Sequence, residues 1–321
     1  MSEIIQQLFE VAIIIDGNKI NFLKSASTLE DNQQQTKDVF TDKWSSTHTL
    51  EDVEKLYQTQ QEWFLKLYGF ETELALQEYL IPKKVIIDTG CGLGYKAAWL
   101  AKLAPHALVI GIDISDAAQI AAESYKDLTN LWFLQADIAA TGLKPHSCDV
   151  VVCDQVIMHT ENPERTFVHL AECTSQTGEF LCYFYRKKAL PRELIDDYFR
   201  KGTHHISKED MWNFSEQLTE LGKRLSALQV NFECPDIPLL GIKGGEYDIQ
   251  RFIYWNFLKC FWREDWGFEL SKITNYDWYA PSNAQRFSKE EVLGLATQNG
   301  MYPRFFHEEE ACYSACFSRN V

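Results

Sequence analysis

Three aspartates follow three short apolar runs in the first half of the chain, at nearly equal intervals. Asp88 follows Val85-Ile86-Ile87, Asp113 ends the run at residues 107–112, and Asp137 closely follows the run at 131–134. A carboxylate attracts cations and accepts hydrogen bonds from hydroxyl and amino groups. The three positions therefore suit a ligand that offers a cationic group, two vicinal hydroxyls and an amino group.

A glycine-rich turn follows the first of these carboxylates, with the sequence Asp88-Thr89-Gly90-Cys91-Gly92-Leu93-Gly94. Glycine lets the backbone turn sharply and approach a ligand closely. Residues 92–97 also match the dinucleotide fingerprint G-x-G-x-x-G/A in form. A carboxylate at position 88 is poorly suited to a pyrophosphate. The carboxylate at position 113 suits a ribose in either NAD or S-adenosylmethionine.

The elements that must position these residues alternate between strand and helix patterns over residues 83–186. Such alternation predicts a parallel sheet that is covered by helices on both faces. Ligands of these sheets bind at the carboxyl ends of the strands, where the aspartates fall. Near the chain end, Ser288 and Glu291 have the spacing of a capping box that begins a final helix. Residues 303–307 and 312–318 then predict an antiparallel hairpin that closes the sheet.

The rest of the chain divides by pattern into further segments. The polar stretch at 29–42 predicts a loop or an exposed helix start, and residues 12–23 predict a short hairpin. Residues 187–286 are mostly helical by pattern and rich in aromatic side chains, which predicts an insertion standing over the ligand crevice. The predicted segments are an N-terminal extension (1–82), a cofactor-binding core (83–186), a helical acceptor-binding insertion or lid (187–286), and the final helix and hairpin (287–321).

The net charge, the lengths of the apolar runs and the cysteine count indicate which partners and which compartment to expect. The 321 residues carry a formal net charge of -15, and 45% of them are hydrophobic. An acidic surface repels phosphate backbones, so no nucleic-acid partner is expected. No apolar run is long enough to span a bilayer, so no membrane association is expected. The nine cysteines are an odd number and no export signal is evident, which predicts a reduced, cytoplasmic protein.

Five motifs together resemble the successive motifs of class I S-adenosylmethionine-dependent methyltransferases. They are the turn at 88–94, Gly111-Ile112-Asp113-Ile114-Ser115, Ala136-Asp137-Ile138, Cys148-Asp149-Val150-Val151 and Val156-Ile157-Met158-His159-Thr160. The resemblance covers about residues 84–186. It implies an α/β fold with a doubly wound, mostly parallel, Rossmann-like sheet of seven strands, of which the last is antiparallel.

The resemblance also implies S-adenosyl-L-methionine as the cofactor, and it distributes the parts of this cofactor over the motifs. It assigns the ribose to Asp113 and the residue after it, and the adenine to Asp137 and its neighbour. No metal site is predicted, because the pair His204-His205 lacks an assignable third ligand. The cofactor-binding residues are predicted to be Asp88, Gly90, Cys91, Gly92 and Gly94 (methionine part), Asp113 and Ile114, Asp137 and Ile138, with Asp154 and Gln155 facing the methionyl part.

Candidate residues for catalysis lie just beyond the fourth and fifth strands. His159 has a side chain whose ordinary pKa suits a general base at neutral pH, although a structural histidine bonded to the backbone fits the position equally well. Tyr185 is predicted to point to the same place. Arg186, its neighbour, is suited to bind an acceptor carboxylate or phosphate through two hydrogen bonds.

The stretch at 275–281 offers a second set of acceptor contacts. Tyr276, Trp278 and Tyr279 are suited to clamp a polar, partly flat or sugar-like acceptor, and packing is the alternative interpretation. The aromatic segment at 252–262 predicts a helix that lies in the core or in a homodimer interface, or that lines an apolar acceptor pocket. The N-terminal extension is a second candidate surface for a homodimer.

The sequence thus predicts a methyltransferase that acts on a small or medium-sized metabolite, such as a natural-product intermediate or a sugar-like acceptor. Three other classes remain open. An NAD-dependent oxidoreductase shares the layer architecture, an RNA methyltransferase shares the motifs, and a non-catalytic scaffold shares the fold. The acceptor itself does not follow from the fold.

Overall fold

The structure is a computed structural model that describes residues 2–23, 29–47 and 53–319. Residues 1, 24–28 and 48–52 of the predicted N-terminal extension, and residues 320 and 321 of the final segment, lie outside the described residues. The chain forms two compact units. The first comprises Met1–Arg186 and Gln285–Val321, and the second comprises Lys187–Ala284.

The first unit contains the large sheet and the helices that cover it. Its helices are α1 (Ser2–Leu8), α2 (Asp31–Thr47), α3 (Val53–Leu67), α4 (Glu73–Leu80), α5 (Tyr95–Leu103), α6 (Ala117–Ser124), α7 (Pro163–Cys173) and α12 (Lys289–Gln298). Its strands are β1 (Ile13–Asp16), β2 (Lys19–Phe22), β3 (Val85–Thr89), β4 (Leu108–Asp113), β5 (Leu131–Gln135), β6 (Cys148–Cys153), β7 (Thr174–Tyr185), β10 (Tyr302–Glu308) and β11 (Cys312–Ser318).

The strands form one sheet in the order β1-β2-β5-β4-β3-β6-β7-β11-β10. Strands β5, β4, β3, β6 and β7 run parallel, and β11 pairs antiparallel with both β7 and β10. This arrangement confirms the predicted Rossmann-like α/β fold and its closing hairpin. The parallel strands are almost wholly buried on both faces, as expected when helices cover both sides.

The seven strands from β5 to β10 in this order form the predicted sheet, and the N-terminal hairpin extends it beyond the predicted count of seven. Strand β2 pairs in parallel with β5 through the register Lys19↔Phe133 and Ile20↔Leu134. The backbone N–H of Phe133 donates to the carbonyl of Asn18 at 2.9 Å. Without this hairpin, β5 would present unpaired backbone groups at the edge of the sheet. Nine strands therefore form the sheet in the described residues.

The starts of helices α2 and α12 were both the subject of sequence predictions. The polar segment at 29–42 was predicted to be a loop or an exposed helix start, and the structure shows the helix start: the 17-residue helix α2 begins at Asp31. The capping box at the start of α12 is present, with the Ser288 hydroxyl accepting from the backbone of Glu291 and the Glu291 carboxylate accepting from the backbone of Ser288. This box satisfies backbone donors that a helix start otherwise leaves free.

The second unit contains four helices and a two-stranded antiparallel ribbon. The elements are α8 (Leu190–Arg200), α9 (Lys208–Ala227), α10 (Ile249–Asn256), α11 (Gly267–Tyr279), β8 (Asn231–Cys234) and β9 (Gly245–Asp248). A buried ion pair lies inside this unit, where Arg192 Nε donates to Asp196 at 2.8 Å. The indole of Trp278 donates to the same carboxylate at 2.9 Å.

The prediction of one aromatic helix over 252–262 is wrong beyond residue 256, where α10 ends. Side chains take over the hydrogen bonds that a helix would otherwise supply there. The amide of Phe261 donates to the side chain of Asn275 at 2.8 Å, and the Gln250 side chain donates to the carbonyl of Cys260 at 2.8 Å. Among the described residues, no helix combines the length and the apolar character needed to cross a bilayer.

Candidate functional site

The glycine turn lies at the carboxyl end of β3, in the middle of the sheet, and is tied to the neighbouring strand. The amides of Gly90 and Cys91 donate to the carbonyl of Ile112 at 2.6 and 3.0 Å. The amide of Gly92 donates to a carboxylate oxygen of Asp113 at 2.8 Å. The turn is therefore held by β4 before any ligand binds, and it leads directly into α5.

Two glycines of the turn are required by both conformation and space. Gly90 and Gly92 have φ values of 71° and 52°, in the left-handed region that favours glycine. A Cβ on Gly90 would stand 2.8 Å from the Cβ of Val156, and one on Gly92 would stand 2.7 Å from the ring of Trp44. Both distances are too short for carbon atoms, so larger residues do not fit.

Asp113 and Asp137 end up at neighbouring positions along the same edge of the sheet. The second oxygen of Asp113 accepts from the amide and the hydroxyl of Ser115 at 2.8 and 2.6 Å. Burial raises the pKa of Asp113, and these hydrogen bonds oppose the rise. Asp137 accepts from the amide of Ala139 at 2.9 Å. Ile114 is half-buried and Ile138 is buried.

Asp88 differs from the other carboxylates of the site because it has no donor. It is 1% exposed, and neither of its carboxyl oxygens has a hydrogen-bond partner among the described residues. Burial raises the pKa of Asp88 to about 7, while the nearby Lys96 ammonium and, to a smaller extent, the backbone amide of Ala97 oppose the rise. A buried carboxylate without a donor is costly, and such a group is expected where a ligand supplies the missing partner.

Asp154, at the end of β6, has donors on both oxygens. Lys96 Nζ lies 2.5 Å from one oxygen in a buried ion pair, and Tyr68 donates to the other at 3.0 Å. Gln155 donates to Asp154 at 3.3 Å and to Gln60 at 2.8 Å. Gln155 itself has a left-handed φ of 65°. Such a conformation in a residue other than glycine is typical of functional sites.

The two predicted catalytic side chains are brought together. His159 Nε2 lies 3.4 Å from the Tyr185 hydroxyl, and their rings meet edge to face with centroids 5.5 Å apart. His159 is 4% exposed and Tyr185 is 9% exposed. Tyr185 is the last residue of β7, and His159 follows the carboxyl end of β6. Phe40 from α2 contacts the imidazole edge to face at 5.1 Å.

Helix α2 is a part of the site that the sequence did not indicate. Its Trp44 packs on Gly92, its Phe40 packs on His159, and the charge of its Lys43 acts on Asp113. The helix therefore passes over the ends of three strands. A faint signal was available, because Phe40 and Trp44 are aromatic residues four positions apart in an otherwise polar stretch.

Lys96 and Tyr68 are two further residues that sequence reasoning missed. Lys96 is 7% exposed in the first turn of α5, and it is the one charged residue among the six buried residues from 96 to 101. A lysine in an apolar helical run was the available signal, since buried lysines are rare unless paired. Tyr68 follows α3 and gives no comparable signal.

Arg186 already has partners in the first unit. Its guanidinium lies 3.1 Å from the Glu308 carboxylate and donates to the carbonyl of Glu309 at 3.2 Å. It also lies over the ring of Tyr313 at 5.4 Å. An anionic acceptor group would have to compete with Glu308 for this side chain.

The three predicted acceptor-binding aromatics lie in α11 of the second unit and are buried there. Tyr276 stacks on Trp212 with ring centroids 3.7 Å apart, and the Tyr279 hydroxyl accepts from the backbone of Lys259 at 3.1 Å. Trp278 bonds to Asp196, as described above. These contacts account for the three side chains by packing within the unit, and acceptor binding by them stays a prediction.

Metal ligation and thiol chemistry have no support in the geometry. The described residues contain no group of three or more His, Cys, Asp or Glu side chains arranged to hold a metal ion. All nine cysteines are buried free thiols. Burial raises the pKa of Cys148 to about 12 and that of Cys91 above its ordinary value, which disfavours the reactive thiolate.

Residues 81–228 match the family model described as a methyltransferase domain. One curated relative is a trans-aconitate 2-methyltransferase of Deinococcus radiodurans, which is 44% identical over 18% of this chain and 24% of the relative. Another is a ubiquinone biosynthesis O-methyltransferase of Saccharophagus degradans, which is 26% identical over 40% of this chain and 58% of the relative. The chain thus spans less than two thirds of the length of these relatives.

Among solved structures, the chain is similar to a magnesium protoporphyrin IX methyltransferase from Synechocystis PCC 6803 with bound S-adenosylhomocysteine. The identity is 16% and the TM-score is 0.47, over 89% of this chain and 98% of the other. The glycine turn, the acidic strand ends and the match to the methyltransferase-domain model lie in the same part of the chain. Residues 81–228, which contain the glycine turn and the acidic strand ends, are therefore similar to a methyltransferase domain.

Proposed function

We propose that the protein transfers a methyl group from S-adenosylmethionine to a small or medium-sized metabolite. The observation that carries the proposal is the buried, partnerless carboxylate of Asp88 beside a glycine turn that is already in place. A cationic amino group at this position would supply the donors that Asp88 lacks. A pyrophosphate there would meet a second negative charge, which argues against the NAD-dependent oxidoreductase.

The remaining cofactor contacts follow from the same edge of the sheet. Asp113 and Ile114 would hold the ribose, and Asp137 and Ile138 would hold the adenine. The amide groups and small surfaces of Cys91 and the loop glycines allow the close approach of the methionine part, with Asp154 and Gln155 facing it. When bound, the cofactor supplies a methyl group that its positive sulfur already activates.

The chain's own contribution is then to align the acceptor and to remove its proton. Alignment of an acceptor atom at about 3–3.5 Å from the methyl carbon accounts for most of the catalysis that such a reaction needs. His159 would accept the proton of an acceptor hydroxyl at Nε2, and Tyr185 would orient the imidazole or the acceptor. Phe40 helps to exclude water from the imidazole face, which strengthens interactions in the site.

The acceptor class rests on charge and on the relatives. The net charge of -15 disfavours an RNA substrate. The relatives named above are methyltransferases of trans-aconitate and of ubiquinone biosynthesis, both small molecules. Arg186 would bind an acidic group of the acceptor if it leaves Glu308. Residues 187–286, with Tyr276, Trp278 and Tyr279, are proposed to set specificity for the acceptor, a natural-product intermediate or sugar-like compound.

Ligand-induced stabilisation tests the cofactor assignment. We expect S-adenosylmethionine and S-adenosylhomocysteine, at about 100 times their Kd, to stabilise the protein by about 2.7 kcal/mol, and NADH to have no effect. Asp88→Asn should lose this shift. Asp149→Asn is the matched control, because Asp149 accepts from the amide of Lys84 at the opposite end of β3. A shift with NADH alone, or none with any ligand, would support the oxidoreductase or the scaffold instead.

The catalytic residues are tested once an acceptor is found by screening with labelled cofactor. His159→Ala should lower kcat by about 10²–10⁴-fold for a hydroxyl acceptor, while the Kd for S-adenosylhomocysteine stays unchanged. Tyr185→Phe should show a smaller loss. An unchanged kcat in His159→Ala would contradict the role of a general base and favour a structural histidine. Salt-sensitive binding of an RNA would revive the RNA methyltransferase.

A further inference from the structure

Four ionisable side chains from four different elements of the first unit are buried together near the glycine turn. Asp88 lies near the end of β3, Lys96 lies in the first turn of α5, Asp154 follows β6 and Tyr68 follows α3. Each of them is no more than 7% exposed. The group contains two carboxylates and one ammonium, so its charges do not cancel when all are ionised. Charges are rarely buried without partners, and the distribution of donors within the group is therefore informative.

The donors are divided unequally between the two carboxylates. Asp154 receives Lys96 at 2.5 Å, Tyr68 at 3.0 Å and Gln155 at 3.3 Å. Asp88 receives no hydrogen bond of normal geometry, although the backbone amide of Ala97 is close enough to lower its pKa. Lys96 is held on the side of Asp154, where its ammonium also lies 5.7 Å from the ring centroid of Phe64. The ammonium therefore pairs directly with Asp154 and acts on Asp88 only at a distance.

We propose that Lys96 is a positioning residue for cofactor binding: it neutralises Asp154 and leaves Asp88 as the single carboxylate that exchanges its proton for the cofactor's amino group. This inference rests on the proposed function. The proton leaves the carboxyl group of Asp88 for solvent, and the cationic amino group takes its place as hydrogen-bond donor. No bond to carbon forms or breaks in this exchange.

The groups that face Asp88 determine the pH at which the exchange occurs. Lys96 favours the ionised carboxylate, whereas Asp113 and Asp154 oppose it. Tyr95 on α5 and Cys91 in the turn are close enough to interact with Asp88 but stay neutral, because burial raises the pKa of both.

Tyr68 is neutral as well, since burial and the charge of Asp154 raise its pKa. Lys43 of α2 also faces the site, and its positive charge lowers the pKa of Asp113. Burial raises the pKa of Asp88 to about 7 even though the Lys96 ammonium lowers it. Without Lys96, Asp88 would therefore hold its proton more tightly still.

Removal of the two partners should shift the pH dependence of binding in opposite directions. In the intact protein, the Kd for S-adenosylhomocysteine should rise about tenfold for each pH unit below the midpoint of Asp88. Lys96→Met should move this midpoint upwards by about one unit or more, because a nearby cation is lost. Asp154→Asn should move it downwards, because a nearby anion is lost. Well above the midpoints, the Kd of Lys96→Met should approach that of the intact protein.

Isothermal titration calorimetry with S-adenosylhomocysteine, between about pH 6 and pH 8.5, measures these shifts directly. Titrations in phosphate and in Tris, which differ in ionisation enthalpy, count the protons released on binding. Tyr68→Phe is the matched control, because it removes a hydrogen bond from Asp154 and leaves every charge in place. Its midpoint should stay where the intact protein has it. Circular dichroism establishes whether each variant is folded. If Lys96→Met is unfolded, the downward shift of the midpoint in Asp154→Asn is the test.

The outcomes separate this inference from the proposed function. No binding by the intact protein overturns the proposed function, and the inference with it. Binding without proton release, or a Kd that Lys96→Met changes by the same factor at every pH, overturns the inference alone and leaves Lys96 a merely structural residue. Opposite midpoint shifts in Lys96→Met and Asp154→Asn support it.

Discussion

Replacement of Gly90 by alanine gives a sharp test of how tightly the glycine turn is built. The residue has a φ of 71°, and an added Cβ would lie 2.8 Å from the Cβ of Val156 and closer still to its methyl groups. Left-handed backbone costs an alanine about 1–2 kcal/mol, and overpacking costs about 1–3 kcal/mol. The reduced entropy of the unfolded chain returns less than about 1 kcal/mol. Gly90→Ala should therefore lose about 2–4 kcal/mol of unfolding free energy.

Two further variants separate the backbone cost from the steric cost. Gly17, in the turn between β1 and β2, has a φ of 59° and no atom within 4 Å of an added Cβ. Gly17→Ala should thus lose only about 1 kcal/mol. Val156→Ala in the Gly90→Ala background should recover about 1–3 kcal/mol relative to additivity, because it removes the atoms that clash.

Equilibrium unfolding in urea, followed by both circular dichroism and fluorescence, measures these free energies. The two signals must coincide, because the chain has two compact units that are capable of unfolding separately. Equal losses in Gly90→Ala and Gly17→Ala would refute the reasoning, since the contact with Val156 would then cost nothing. Strict additivity of Gly90→Ala and Val156→Ala would refute it as well.

Three other variants test separate parts of the structure. Burial raises the pKa of Asp88 from 3.8 to about 7, so the folded state binds this proton more tightly than the unfolded chain does. The stability of the intact protein therefore falls as the pH rises through this window. In differential scanning calorimetry without ligand, Asp88→Asn should melt above the intact protein at pH 8 and close to it near pH 4. Arg192→Met should cost about 3–5 kcal/mol in urea unfolding, because it leaves the buried Asp196 without its cation, and a cost below about 1 kcal/mol would contradict a structural ion pair. Ser288→Ala should cost about 1 kcal/mol through loss of the capping box at α12, while Ser288→Thr should cost much less in the same assay.

The central sheet was predictable because its information is local. Each parallel strand is a short apolar run that ends at a polar residue, and each intervening helix has its own pattern. The pairing of β2 with β5 was not predictable, because β2 has only four residues and its partner lies more than 100 positions away in sequence. A hairpin pattern indicates a turn, but it does not indicate which exposed edge the hairpin will cover.

The residues of the site were likewise predictable where they belong to a local motif and not where they depend on a long-range contact. Asp88, Asp113 and the glycines were predictable because they form contiguous motifs with a fixed spacing. Lys96 was not, because a lysine in a helix usually faces water, and its partner Asp154 is separated from it by 58 positions. Long-range ion pairs leave no periodic trace in a sequence.

The aromatic residues of the second unit show a different limit. Tyrosine and tryptophan suit both ligand binding and packing, because each combines a large apolar surface with one polar group. Residue type alone predicted an acceptor clamp at 276–279. The contacts of Tyr276 with Trp212 and of Trp278 with Asp196 became visible only in three dimensions.

The second unit is inserted at a single point of the first. Arg186, the last residue before the insertion, forms a parallel bridge with Phe287, just after it, and the amide of Phe287 donates to the carbonyl of Tyr185 at 2.8 Å. The chain thus leaves the sheet and returns to it at adjacent positions. An inserted segment of this kind constrains the sheet only through its two ends, which lie next to each other. Replacement of residues 187–284 by another segment with neighbouring ends should therefore leave the nine-stranded sheet of the described residues intact.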